Sequence, residues 1–118
     1  MQRTFNFMAV LQPPKNAPFS ILSKIETPDQ AIRVSAIQKG IKDAYYALEM
    51  HISEGYFSRI ATGKRPVPEW FIEPFCWLSG SNLLKQFLAL QDALHEAAGD
   101  LTAKAVERKL AEQLRTAA

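Results

Sequence analysis

The chain reads as all-α: a compact helical bundle of about five helices around a central helix-turn-helix, with a further helix at the C-terminus. Three observations predict this. From Pro28 onward, apolar residues recur at helical spacing. Most helical stretches have a start signal of Thr, Ser or Pro or a glycine stop. Period-two alternation, the mark of a strand, is confined to the first 26 residues. The 118 residues are one domain's worth of chain, and 47% are hydrophobic, enough to build a core at this size.

Residues 1–26 stand apart as an N-terminal arm. Thr4–Leu11 is aromatic and β-prone, and Pro13, Pro14 and Pro18 make a loop after it. In Phe19–Ile25, the alternate positions Phe19, Ile21, Ser23 and Ile25 suggest period two. The pair is read either as a β-hairpin laid on the helices or on a second subunit, or as an arm with one or two helical turns.

The bundle is assigned to residues 27–98. Thr27 is the expected N-cap of its first helix, with Pro28 at the first helical position and Gln30 completing a capping box. Ile32, Ala36 and Ile37 form the inner stripe, and Gly40 ends the helix. The second helix, Asp43–Met50, turns Tyr46, Ala47 and Met50 inward. His51, Ile52 and Ser53 make the turn, and Ser53 caps the third helix, Glu54–Ala61. Phe57 and Ile60 are its inner side; Glu54, Gly55, Tyr56, Ser58 and Arg59 are its outer side. Thr62 and Gly63 end it, and Lys64, Arg65 and Pro66 follow.

Pro68 is expected to open the fourth helix, whose Trp70, Phe71, Ile72, Phe75, Trp77 and Leu78 are the apolar heart of the bundle. Pro74 lies inside it, which predicts a break near Glu73. Ser81 is the expected cap of the next helix, Asn82–Ala97, with Leu83, Leu84, Phe87, Leu88, Ala93 and Leu94 as its apolar face. Gly99 and Asp100 are expected to stop the chain and restart it. Within the C-terminal unit, residues 99–118, Leu101–Arg115 is then a charged helix with a thin stripe of Val106, Leu110 and Leu114, suited to dimerisation or to a partner's groove.

Composition excludes several classes of function. A net charge of +2 is too small for a polybasic nucleic-acid binder, so any such affinity must be local. Cys76 is the single cysteine and His51 and His95 lie far from it, so no intrachain disulfide, zinc spacing or other metal site is expected. Cys76 reads as a small buried apolar residue. No triad, Gly-rich phosphate loop or cofactor motif is visible, so neither enzyme activity nor a cofactor is expected. No export signal or membrane span is read, and a reducing, cytoplasmic compartment fits best.

The stretch Lys39–Pro66 carries the functional expectation. Two short helices joined by a tight turn project the second helix, which fits a B-DNA major groove about 12 Å wide. Ala47 supplies the small residue at the helix crossing, and Ile52, Phe57 and Ile60 anchor the second helix from behind. The expected DNA-binding residues are Lys42, Ser53, Glu54, Gly55, Tyr56, Ser58, Arg59, Thr62, Lys64 and Arg65. The bland alternative for Arg59 is a surface pair with Glu54 or Glu49, worth little. That for Tyr56 is partial packing, and for Lys64 and Arg65 simple solvation.

From Lys39-Gly40-Ile41 through Ile52-Ser53-Glu54, Phe57-Ser58-Arg59-Ile60 and Gly63-Lys64-Arg65-Pro66, the chain resembles the lambda-repressor-like, Cro-like (XRE-type) helix-turn-helix family. The resemblance covers roughly Pro28–Leu84 and implies a bundle of about five helices. It also implies a homodimeric transcriptional regulator, most often a repressor, of the kind common in phages and bacterial operons. Such a dimer reads a palindrome in double-stranded DNA. Three positions depart from the family pattern. His51 stands at a turn position usually glycine, Asp43 where a phosphate-contacting Gln is common, and Glu54 at the first reading position, often Gln. The second class of function is a protein-interaction module on this scaffold, such as an antitoxin, holding a protein partner through the C-terminal helix.

Overall fold

The computed structural model describes residues 11–116, with side chains throughout except at 100–103 and 113–116. The architecture is all-α, as expected. The order is α1 (Phe19–Leu22), α2 (Pro28–Lys39), α3 (Asp43–Glu49), α4 (Glu54–Ala61), α5 (Glu69–Ser79) and α6 (Leu83–Thr116). The chain divides into two units, Met1–Leu88 and Ala89–Ala118.

In the first unit an aromatic cluster ties α3, α4 and α5 together. Tyr46 stacks on Phe57 with ring centroids 5.5 Å apart and meets Phe75 at 5.2 Å. Phe71 closes the cluster at 5.7 Å from Phe57 and 5.4 Å from Phe75. All four rings are fully buried, together with Ile32, Met50, Ile60, Leu83 and Leu84. Each such ring pair adds about 0.5–1.5 kcal/mol to the burial of its area. The cluster therefore fixes the angle between α3 and α4 from behind.

Local signals set the ends of α2, α3 and α4. Gly40 (φ 74°) donates to the Ala36 and Ile37 carbonyls and closes α2 in the left-handed conformation. His51 turns the chain between α3 and α4 at φ 57°, the conformation the motif demands at that position. The Ser53 hydroxyl accepts from the Tyr56 N–H at 3.1 Å and caps α4. At α2 the expected capping box forms one residue out of place. Thr27 makes no side-chain cap bond, and the Gln30 amide oxygen accepts from the Glu26 N–H at 2.8 Å.

Several expectations are corrected. Residues 4–10 of the first expected strand lie outside the described residues. For the second, the helical alternative is the one that forms: Phe19–Leu22 is a helical turn after Pro18, whose carbonyl accepts from the N–H groups of Ile21 and Leu22. With no neighbouring strand among the described residues, local bonding satisfies this backbone. Ile37 is 75% exposed, because the buried stripe of α2 is Ala31, Ile32, Ser35 and Ala36, and the next residue falls about 100° beyond it. The Ser35 hydroxyl joins the stripe by donating to the Ala31 carbonyl at 2.8 Å.

Pro74 does not break α5, which runs unbroken from Glu69 to Ser79. The missing N–H costs about 3 kcal/mol, but Phe71 and Phe75 are anchored on either side of it, each burial worth about 1.5–3 kcal/mol. Pro68 serves as the N-cap of α5, so the helix starts at Glu69, one residue later than expected. Trp70 and Trp77, expected in the core, are only half-buried at its edge. Gly99 does not stop α6. A helical glycine costs about 1 kcal/mol, and the surrounding Ala, Glu, Lys and Leu are strong helix formers.

The segment after residue 10 is bolted to the start of α6. Lys15 donates its N–H to the Gly80 carbonyl at 3.1 Å and accepts from the Asn82 N–H at 2.8 Å. The Gln86 side-chain amide accepts from the Ala17 N–H at 2.7 Å and donates to the Ala17 carbonyl at 3.1 Å. An extended segment is thus satisfied by one amide side chain where a strand would otherwise be needed.

In the second unit, residues 91–99 and 104–112 are exposed all round the helix. Leu94, Val106 and Leu110 are 62%, 52% and 53% exposed. Among the described residues no helix is long and apolar enough to cross a membrane.

Candidate nucleic-acid interface

The site is built on α4. Its inner side, Phe57, Ile60 and Ala61, is buried, so the opposite side must face outward. Glu54, Gly55 and Arg59 are exposed there, and Lys64 and Arg65 are exposed just beyond the helix. Gly55 leaves the helix bare in its first turn. A Cβ there would lie 3.6 Å from an Arg59 guanidinium nitrogen, so the Arg59 side chain lies back over Gly55 toward the helix start. Lys42 is exposed at the N-cap of α3.

Other candidates are engaged within the motif. The Ser53 hydroxyl is committed as the α4 cap, and the Thr62 hydroxyl donates to the Ser58 carbonyl at 2.7 Å. Ser58 is half-buried. Tyr56 is half-buried too, its ring stacked on Trp70 with centroids 6.3 Å apart and planes 27° apart. The Arg65 guanidinium carbon lies 4.7 Å from the centre of the same ring, within cation–π range. The Arg65 N–H also donates to the Arg59 carbonyl at 3.1 Å, folding the exit back onto α4.

The structure supplies a partner for Asp43. Asp43 accepts two bonds from the Arg33 guanidinium, at 2.9 and 3.0 Å. A bidentate pair of this kind neutralises the carboxylate. What remains on this face is Lys42, Arg59, Lys64 and Arg65 against Glu54, a local positive excess within a chain of net charge +2.

Arg33 and Trp70 were not legible as site residues. Arg33 meets Asp43 across ten positions of sequence and two helices, a pairing that no local spacing announces. Trp70 lies beneath Tyr56 because α5 packs against α4, a tertiary consequence.

Other sites offer less chemistry. A groove of about 600 Å³ is lined by Leu11, Ile41, Tyr45, Trp77 and Leu78, with Lys15 and Lys39 as its charged groups. It holds no acid–base pair. Cys76 is buried, and burial pushes its thiol up to about 11, far from a reactive thiolate. Among the described residues no cluster of His, Cys, Asp or Glu could hold a metal ion.

No family model, curated protein or solved structure matches this chain.

Proposed function

We propose that this protein binds double-stranded DNA sequence-specifically, as a homodimeric transcriptional regulator that lays α4 in the major groove of each half of a palindrome. The supporting observation is the disposition of α4: held from behind by the aromatic cluster, with Glu54, Gly55 and Arg59 exposed in front and Lys64 and Arg65 at its exit. Arg59 is the base-reading candidate and Lys42, Lys64 and Arg65 are the phosphate-holding ones. Glu54 can accept from a cytosine amino group. Two copies bring about eight cationic contacts, enough for a steep salt dependence, with half-sites about 34 Å apart.

Selection of random duplex DNA on the purified protein at moderate salt tests the reading, with Arg59→Ala alongside. The expected outcome is a palindrome enriched by the wild type and lost in the variant. No enrichment by a folded wild-type protein would reject it. The exposed Leu94, Val106 and Leu110 motivate a second reading, a module that binds a protein partner through the C-terminal helix. A stoichiometric complex with one protein and no shift of any duplex would favour that reading.

A further inference from the structure

We infer that Tyr56 is a positioning residue, not a base-reading one: its ring is a platform that holds the Arg65 guanidinium ready for a backbone phosphate. This rests on the proposed DNA-binding role and names how one of its contacts is made. Three geometries converge on it. The Tyr56 ring is backed by Trp70, so it cannot swing inward. The Arg65 guanidinium sits over that ring at 4.7 Å. The Arg65 main chain is tied to the Arg59 carbonyl and is followed by Pro66, so the base of the side chain is fixed as well.

A free arginine on a surface has the rotamer entropy of a long side chain to lose on binding. One already held over a ring has lost part of it before the ligand arrives. A guanidinium held through its carbon retains N–H donors in its own plane, the donors a phosphate oxygen accepts from. The ring also explains the choice of side chain at the exit. Lysine carries the same charge but is a compact, strongly hydrated ammonium without a plane to stack. Of the two adjacent cations, it is Arg65 that meets the ring.

The test measures affinity for the selected duplex against salt concentration. It compares the wild type with Tyr56→Phe, Tyr56→Leu, Arg65→Ala, Arg65→Lys and the Tyr56→Leu/Arg65→Ala double variant. The expected result is wild-type binding in Tyr56→Phe, which keeps the ring. Tyr56→Leu should weaken binding roughly two- to thirtyfold, the range of a cation–π contact. Arg65→Ala should weaken it too and reduce the salt slope by about 0.9 per protomer. Tyr56→Leu should add little on top of Arg65→Ala. Arg65 is exposed, so Arg65→Lys tests the same point without threatening the fold: it should lose affinity although the charge is kept.

Tyr56→Phe binding as poorly as Tyr56→Leu would overturn the inference, since the hydroxyl would then be the contact. Additive losses, or full affinity in Arg65→Lys, would overturn it as well. In each of those cases the wild type still binds, so DNA binding itself stands. A wild-type protein that shifts no duplex removes both together.

Discussion

Tyr46 is the residue on which the core spends the most and satisfies the least. Its ring meets Phe57 and Phe75, yet its hydroxyl is buried without a hydrogen-bond partner. Burial first, and the Asp43 charge second, push that hydroxyl up to about 12, so it stays protonated at any pH of interest. An unsatisfied buried hydroxyl costs about 1–3 kcal/mol. Tyr46→Phe keeps the ring stack and removes the cost, so it should raise stability by roughly 1 kcal/mol. Urea unfolding measures this directly, and a clear loss of stability would show that the hydroxyl has a partner in solution. The opposite effect is expected at Gly63. Its φ is +80°, and a Cβ there would lie 3.1 Å from the Asp29 carboxylate. Gly63→Ala should cost about 1–2 kcal/mol from backbone strain alone. Adding Asp29→Ala should relieve the clash but not the strain, so the rescue should be partial.

At the scale of elements, the junction of α5 with α6 carries a pH dependence. Glu73 on α5 is bridged to Lys85 on α6 and accepts from the Trp77 indole N–H at 3.2 Å. Lys85, and then the indole, hold the Glu73 carboxyl below its ordinary value despite partial burial. A carboxyl depressed in the folded state stabilises at pH values above its unfolded pKa and loses that contribution as the pH falls through the folded one. Stability should therefore decline below about pH 4.5, and Glu73→Gln should flatten this part of the profile. Both groups are about half exposed, so the effect is small and shrinks with added salt. An unchanged acid limb in Glu73→Gln would assign the acid loss to other carboxyls.

The same scale shows what could be read in advance. The ends of α2, α3 and α4 were legible because Gly40, His51 and Ser53 act through their own backbone and nearest neighbours. Pro74 and Gly99 misled, because their local cost is real but is outweighed by anchored aromatics in one case and by strong helix formers in the other. The alternation at residues 19–25 left strand and helical turn both open for a different reason. A strand needs a partner, and periodicity cannot say whether one exists. On α4, burial of Phe57 and Ile60 followed from spacing, whereas the Arg33–Asp43 pair and the Tyr56–Trp70–Arg65 stack required knowing which helices meet.

At the scale of the whole molecule, the buried apolar residues among those described run from Ile25 to Phe87. A chain ending after Leu90 should therefore unfold cooperatively with a midpoint within a few degrees of the full protein, since it removes little buried surface. The rest of α6 is differently supported. A helix exposed on every side has only its own propensity and i,i+4 pairs to hold it, and Gly99 subtracts about 1 kcal/mol. Association through Leu94, Val106 or Leu110 would supply the missing burial. Circular dichroism of a peptide of residues 89–118 should accordingly show helicity that rises with concentration through the micromolar range. The chain ending after Leu90 should bind duplex DNA with a shallower salt slope, because each bound molecule then brings one set of cations instead of two. Helicity independent of concentration, with an unchanged slope in the shortened chain, would place the dimer contact in the first unit.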